Sequence, residues 1–331
     1  MRARRPSETL FEFSRRGFLA ALAATAGSGR LRRTEAKPPP EKLRIRAGTP
    51  RSRVVQVESA QVVDGPQVHR LLLSEMLDKA LTSLTGAATL SDAWRVVLRP
   101  SDVIGLKFCR SGQRALATTE TLAAVLIESL VAAGFQPEQI VCVEAPAGVE
   151  ARAGTTPARR GYLAVSTDFG SGTDRYAAVL DQITALVSVP FLKTHNIAGM
   201  TCALKNLSHG LIKHPARYHG NGCSPFIGDI VAAPPIGRKL RLCLVDALRV
   251  VHDGGPEAHA EGLSSAGILL AAFDPVATDR VGLSILNAIR RGRDLDPVAR
   301  SAEELGYLAA AHRRGLGVAL WDGIDRLRYR L

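Results

Sequence analysis

The sequence lacks the common motifs that identify a reaction. Its five cysteines include no Cys-x-x-Cys pair, so there is no zinc-ribbon pattern. Neither a Walker sequence nor a Gly-x-Gly-x-x-Gly run after a strand is present, and nothing indicates a nucleotide site. A Gly-x-Ser-x-Gly elbow is also missing, so nucleophilic serine catalysis is not indicated. The chemistry has to be sought in other residues.

Acidic residues are in short supply. The chain has 31 Asp and Glu against 43 Lys and Arg, a formal net charge of +12. Eight of the arginines and three of the acidic residues lie in residues 1–36, and the remaining 35 basic and 28 acidic residues carry +7. This balance favours a small anionic ligand or an anionic surface. No nucleic-acid partner is expected, because no basic helix or aromatic-interleaved basic stripe is present.

A membrane-spanning apolar run is missing as well. The Ala-rich run at 17–27 has about 11 residues, whereas a spanning helix needs roughly 20. It follows paired arginines in Ser14-Arg15-Arg16-Gly17-Phe18-Leu19, the layout of a secretory signal read by the twin-arginine translocase. We therefore expect residues 1–36 to be a twin-arginine signal peptide, although cleavage patterns occur at both 24–26 and 34–36. The expected location is the periplasm or cell envelope, without a stable membrane span.

Residues 37–52 contain three consecutive prolines and many charges, which predicts a linker. Residues 53–331 predict a single α/β domain in which short apolar runs alternate with helical patterns. The predicted strands are 54–57, 103–108, 140–144, 185–189, 240–246 and 267–272. The predicted helices are 69–84, 119–133, 176–183, 275–288 and 303–313. Because the strands are nearly all apolar, we expect a mostly parallel, Rossmann-like sheet with helices on both faces.

Charged side chains stand at the ends of the predicted strands. In sheets of this kind the ligand crevice lies beyond the carboxyl ends of the strands. The residues at or just after these ends are Lys107, Glu144, Lys193, His195, Asp246 and Asp274. Their convergence predicts a site at one rim of the sheet.

The richest segment runs from Phe191 to His219. It holds four of the eight histidines together with Lys193, Lys205 and Asn206. No regular apolar period runs through residues 193–222, which predicts a long functional loop, with at most one helical turn, folded over the rim. A structural explanation is also open, in which Asn206 makes a turn and Gly210 supplies a positive φ.

Several of these motifs resemble the domain-of-unknown-function 362 family. The resemblance runs from about Leu98 to Leu286 and is carried by 98–107, 191–195, 201–210, 245–246, 255–256 and 274–279. It implies an α/β fold, and the family's reaction is unsettled. Relatives with a ferredoxin-like module carry cysteine clusters that this chain lacks, so no iron–sulfur cluster is expected. The usual Pro-Asn after the first lysine is replaced by Phe108-Cys109.

Two functions remain open. In the first, the protein is an enzyme of the cell envelope acting on a small anionic substrate. Lys107, Lys193, Lys205 and Asn206 would bind the anion, His195 would be the acid–base group, and Asp246 would orient His195. In the second, the protein binds or handles an anion, a metal or a cofactor without turnover.

A divalent metal is one alternative for the cofactor. The candidate ligands are His195, His209, Asp229 and Asp246, since three nitrogen or carboxylate ligands plus water make a common catalytic site. His214 and His219 are further candidates, although a position in a solvated loop is the simpler explanation for both. Asp274 and Asp279 are further site candidates. Both also have a structural explanation at the start of the helix beginning at Pro275, as an N-cap and a first-turn acid.

Overall fold

The structure, a computed structural model, describes residues 51–331. The predicted signal peptide of residues 1–36 and nearly all of the predicted linker lie outside the described residues. In the described part, no helix is both long enough and apolar enough to cross a bilayer.

The strands are short except for two long ones that form the middle of the main sheet. Their bounds are β1 (Ser52–Glu58), β2 (Val63–Asp64), β3 (Gln67–Val68), β4 (Ile104–Lys107), β5 (Ile140–Val143), β6 (Thr167–Asp168), β7 (Thr173–Asp174), β8 (Ala185–Ser188), β9 (Phe191–His195), β10 (Gly199–Thr201), β11 (Leu240–Val251), β12 (Leu263–Ala272) and β13 (Ile324–Arg330).

The helices alternate with these strands along the chain. Their bounds are α1 (Arg70–Thr85), α2 (Leu90–Val97), α3 (Gln113–Leu116), α4 (Thr119–Ala132), α5 (Val149–Ala153), α6 (Ala203–His209), α7 (Phe226–Ala232), α8 (Pro234–Gly237), α9 (Pro275–Arg291) and α10 (Gly306–Arg313).

The main sheet has nine strands. Seven follow the order β13-β1-β12-β11-β8-β4-β5, while β9 pairs with β11 and β10 pairs with β9. Five of the strand pairs are parallel, and β12 runs antiparallel to both of its neighbours. The prediction of a mostly parallel α/β sheet is confirmed.

Side chains alternate between the two faces of the sheet, and each face has its own apolar core. Along β11, Leu244 packs with residues of α1, α2 and α4. Val245 packs on the other face with residues of α6, α7, α9 and α10. All five cysteines are free and buried. Helices therefore cover both faces, as the apolar strands predicted.

A break between β8 and β9 raises part of the chain above the sheet edge. Both strands run parallel to β11, β8 beside 240–243 and β9 beside 246–251. Between them, the Pro190 carbonyl accepts a hydrogen bond from the Asp246 N–H at 2.8 Å. Because the chain resumes as β9, it carries Lys193 and His195 beyond the point where β8 ends.

Two predictions about local structure are wrong. The helix predicted over 176–183 contains only a 3₁₀ turn at Ala178–Asp181. Its backbone groups bond to a distant segment instead, for example the Ala177 N–H to the Leu211 carbonyl at 2.8 Å. The loop predicted over 193–222 contains the end of β9, all of β10 and helix α6.

Candidate functional site

A cavity of about 370 Å³ opens beyond the carboxyl ends of β4 and β5, under β9 and α6. Seven of the predicted site residues line it: Lys107, Glu144, Lys193, His195, Lys205, Asn206 and His209. They come from three different elements, β4, β9 and α6, and from the turn after β5. The sheet therefore brings together side chains that are up to 99 residues apart in the chain.

Lys107 is the fully buried residue at the end of β4. Its ammonium donates to the Phe108 carbonyl at 2.7 Å, to Glu144 Oε2 at 3.0 Å and to Asn206 Oδ1 at 3.0 Å. All three protons of the ammonium are used in this way. Lys107 therefore forms the base of the cavity and joins β4, β5 and α6.

Asn206 and Gly210 allow α6 to pack closely against Lys107. Asn206 Nδ2 donates to the Lys107 carbonyl at 3.1 Å and to Ser188 Oγ at 3.2 Å. The φ of Gly210 is −79°, so a positive φ does not explain this glycine. A Cβ at Gly210 would lie 2.6 Å from Lys107 Nζ, and glycine is required there for space.

Lys193 lies in β9 and is 2% exposed. Its ammonium donates to the carbonyls of Ser111 at 3.0 Å and Pro256 at 3.1 Å. These two loops are also joined by the Ser111 hydroxyl, which donates to the Pro256 carbonyl at 3.2 Å. Lys193 thus holds two loops over the cavity through neutral acceptors.

Lys205 lies in α6 and is 5% exposed. Its Nζ is 3.1 Å from Nε2 of His219. Burial lowers the pKa of Lys205 to about 8, and the charge of Lys193 acts in the same direction. The cavity thus holds a second buried ammonium whose partner is neutral.

The charge of the cavity is not balanced by the protein. Within residues 51–331, Glu144 is the acid that lines the cavity, and it is bound to Lys107. No carboxylate of the described chain lies within 4.0 Å of the ammonium of Lys193 or Lys205, whose partners are neutral. Buried charges are ordinarily paired, because an unpaired ion loses its hydration without compensation. The arrangement fits an anion that completes the pairing.

His195 is held in one orientation by the turn after β9. Its Nδ1 accepts hydrogen bonds from the N–H groups of Ile197 at 3.1 Å and Ala198 at 3.3 Å. Burial, with the charge of Lys205, lowers the pKa of His195 to about 3. The imidazole is therefore neutral near pH 7, with its proton on Nε2. This geometry suits a hydrogen-bond donor better than the acid–base group expected from the sequence.

Two further histidines lie beside Lys205. The ring of His219 stacks on His195 with centroids 5.6 Å apart, and it meets His209 edge-on at 4.6 Å. Burial and the charge of Lys205 lower the pKa of His209 to about 2, outweighing the opposing effect of the Tyr218 carbonyl. The same two causes lower the pKa of His219 to about 4. The three rings are neutral near pH 7.

The predicted metal ligands are not grouped as expected. His209 is near His219 and Cys223, with ligand atoms within 4.8 Å of one another. Asp229 instead forms an ion pair with Arg314 at 3.0 Å. The structure therefore does not bring His195, His209, Asp229 and Asp246 together as one group of ligands.

Asp246 does not contact His195. Its carboxylate accepts from the Thr118 hydroxyl at 2.5 Å and from the Leu248 N–H at 3.2 Å. Burial raises its pKa to about 6. Asp246 pairs with Phe191, two residues before Lys193, and therefore lies below the cavity.

Asp274 lies at the opposite end of the sheet. Lys193 is level with Val251, and Val251 pairs with Leu263, the first residue of β12. The strand then runs about 30 Å in the reverse direction before reaching Asp274. There Asp274 caps α9 by accepting from two backbone N–H groups, at 2.8 Å and 2.9 Å. The N-cap role that the sequence offered for Asp274 therefore accounts for these contacts.

Asp279 supports the site from behind. This fully buried side chain of α9 accepts from the Leu204 N–H at 3.3 Å and from the Tyr307 hydroxyl at 3.1 Å. Burial raises its pKa to about 7. Because Leu204 immediately precedes Lys205, Asp279 helps to fix the helix that carries Lys205 and Asn206.

The fold and the cavity define an α/β protein with a lysine-lined pocket beyond the carboxyl ends of its parallel strands. Residues 171–284 match the family model described as Domain of unknown function (DUF362), which supports the resemblance found in the sequence. The matched span includes eight residues that line the cavity, among them Lys193, His195, Lys205 and Asn206. No curated protein matches the chain at a significant level.

Some functional groups could not be found from sequence. The acceptors for Lys193 are backbone carbonyls of Ser111 and Pro256, and any residue offers such a group. Cys223 did leave a signal, because it follows His219 by four residues in a histidine-rich segment. Cys223 is far from the other cysteines in the sequence, so no cysteine-cluster pattern includes it.

Proposed function

We propose that the pocket binds a small ligand through a carboxylate or phosphate group. Lys193 and Lys205 neutralise its charge, and Nε2–H of His195 donates a hydrogen bond to it. The observation that carries this proposal is the pair of buried ammonium groups that open on one cavity without a carboxylate partner in the described chain.

The supporting framework is rigid. Glu144 and Asn206 both accept hydrogen bonds from Lys107, which leaves the other two lysines to meet the ligand. An ionic hydrogen bond contributes about 1.5–3 kcal/mol. Two of them, preorganised in a buried cavity, are enough for selective binding of a small anion.

Substitution of either ligand-binding lysine is expected to weaken binding. Lys193→Met and Lys205→Met should each lower the affinity for inorganic phosphate or citrate by about tenfold or more in calorimetric titration. The melting temperature of ligand-free Lys205→Met should be unchanged or higher, because the variant removes a buried charge without a carboxylate partner.

Lys239→Met is the matched control. Lys239 is also a partly buried lysine that donates to a backbone carbonyl, that of Leu180, but it lies outside the cavity. Its substitution should leave anion binding intact. If phosphate and citrate bind the double variant Lys193→Met, Lys205→Met as tightly as the wild type, the pocket is not their site.

A second candidate function is an enzyme that acts on the bound anion. Glu144 favours it: this non-glycine residue has a φ of 58°, and its carboxylate is 25% exposed beside the cavity. Backbone strain of this kind is concentrated at functional sites. Glu144 could transfer a proton to or from the substrate while Lys107 holds the Glu144 carboxylate in place.

Glu144→Gln distinguishes the two functions. An enzyme variant should still bind the anion but lose turnover of the small molecule that copurifies with the protein, followed by mass spectrometry. If turnover survives in Glu144→Gln, Glu144 is not the proton-transfer group. A copurified anion that the wild type leaves unchanged supports the binding protein.

We also infer that the protein works outside the cytoplasm. The support is the arginine pair at residues 15 and 16 before a short apolar run. The double variant Arg15→Lys, Arg16→Lys should retain the precursor in the cell, and fractionation with an immunoblot measures this. Normal export of that variant would contradict the role of the twin-arginine translocase.

A further inference from the structure

Three side chains beside the cavity have the composition of a metal site. The ligand atoms of His209, His219 and Cys223 all lie within 4.8 Å of one another. Around a tetrahedral zinc ion, nitrogen and sulfur ligands at about 2.0–2.3 Å from the metal are roughly 3.5 Å apart. A small inward movement of the three side chains would therefore bring their ligand atoms to the spacing of a zinc site.

His209 presents an unused lone pair to this cluster. The Ser208 hydroxyl donates to the Lys205 carbonyl at 3.3 Å, so it accepts from Nδ1–H of His209 at 3.0 Å. That places the lone pair on Nε2, which is buried and has no hydrogen-bond partner among residues 51–331. Histidines that bind metals typically donate their other N–H in this way, which fixes the ring and its tautomer.

His219 has the same tautomer. Its Nε2 lies 3.1 Å from Lys205 Nζ, which can only donate, so Nε2 carries a lone pair. Both histidines are thus oriented to offer one nitrogen each.

A left-handed turn brings Cys223 to the two histidines. Asn221, Gly222 and Cys223 have φ values of 52°, 61° and 66°. This conformation costs a non-glycine residue roughly 1–2 kcal/mol. The turn places the buried thiol near His219, four residues earlier. A divalent ion there would stabilise the thiolate, which burial alone disfavours.

From these contacts we propose that His209, His219 and Cys223 bind Zn²⁺, with the fourth position open to water or to a ligand. Two imidazoles and a thiolate suit this borderline-soft ion, and carboxylate-preferring ions such as Mg²⁺ and Ca²⁺ are excluded by the same donor set. The site does not depend on the proposed anion site.

Lys205 competes with the metal. Its ammonium occupies the lone pair of His219 that the ion would take, and its charge repels a cation. Metal binding requires Lys205 to move away from His219. Removing the lysine charge should therefore strengthen metal binding, although the same change weakens anion binding. These opposite effects separate the two proposals experimentally.

The test is a titration of the untagged, reduced full chain with Co²⁺, which reports on a zinc site through its spectrum. We expect one equivalent to bind with a thiolate-to-cobalt charge-transfer band and the visible absorption of a tetrahedral site, and Zn²⁺ to displace it. His209→Ala and His219→Ala should each lower the affinity for Co²⁺ by roughly 100-fold or more. Losing a residue that only supports a metal ligand lowers metal affinity by about 10–100-fold, and losing the ligand itself should cost at least the upper value. Cys223→Ser should lose the charge-transfer band, and Lys205→Met should bind more tightly.

Two variants serve as controls. Cys109→Ser removes the thiol that lines the anion cavity, and His214→Ala removes a histidine that pairs with Asp174 instead. Neither should change the cobalt spectrum. The proposal is overturned if the wild type shows no thiolate band at saturating Co²⁺, or if the band survives in Cys223→Ser. Should a ligand variant fail to fold, the wild-type spectrum and a Zn²⁺-dependent rise in melting temperature decide the question.

Discussion

Gly210→Ala is expected to destabilise the protein and to abolish binding of phosphate and citrate. The new Cβ would lie 2.6 Å from Lys107 Nζ and 2.8 Å from the Asn206 carbonyl oxygen. Lys107 cannot swing aside without breaking three buried hydrogen bonds, so α6 has to move. Overpacking of this kind costs about 1–3 kcal/mol. Urea unfolding measures the loss of stability, and calorimetric titration measures the loss of binding.

Gly220→Ala is the control for this substitution. Gly220 belongs to the same region of the chain, but a Cβ there would meet no atom within 4 Å and its φ is not positive. Its stability and anion binding should match the wild type. If Gly210→Ala behaves like Gly220→Ala, the Lys107 ammonium does not pack against α6.

Lys107→Met is expected to cost about 3 kcal/mol of stability. Methionine fills most of the space, but the Phe108 carbonyl and Asn206 Oδ1 lose their donor and Glu144 loses its counter-ion. Breaking a buried pair costs about 3–5 kcal/mol. The lower end applies, because the carboxylate is 25% exposed and water can solvate it. The free energy of unfolding in urea is the measurement.

Two comparisons make this result specific. Lys239→Met removes one hydrogen bond from a partly buried lysine and should cost only about 1 kcal/mol. The double variant Lys107→Met, Glu144→Gln should be less unstable than the sum of the single variants, because the two charges act as a pair. Equal losses in Lys107→Met and Lys239→Met would rule out a central role for Lys107.

The convergence of Lys107, Glu144 and Lys193 could be predicted because the carboxyl ends of parallel strands meet at one edge. The same rule failed for Asp274, since it assumes a parallel strand and β12 is antiparallel. Apolar composition alone does not distinguish the two directions. The predicted contact between Asp246 and His195 is absent for a related reason. The break at Pro190 shifts β9 along β11, and the sequence does not indicate the size of that shift.

Helix α6 could not be recognised in the sequence because most of its residues are buried. Six of its seven residues are buried, including Lys205 and Asn206. An amphipathic period arises only when one side of a helix faces water. The polar residues of α6 face the cavity instead of the solvent, and they gave the segment the appearance of a loop. The wrong prediction therefore fell on the helix that carries the site.

The contact between Asp279 and Tyr307 has a consequence for synthesis of the chain. Tyr307 lies more than 100 positions after Leu204, yet it helps to fix the carboxylate that bonds to the start of α6. A nascent polypeptide that has not yet released α10 from the ribosome lacks this support. Every strand of the main sheet except β13 precedes α10 and can pair earlier, but the pocket reaches its final form only when almost the whole chain has been translated.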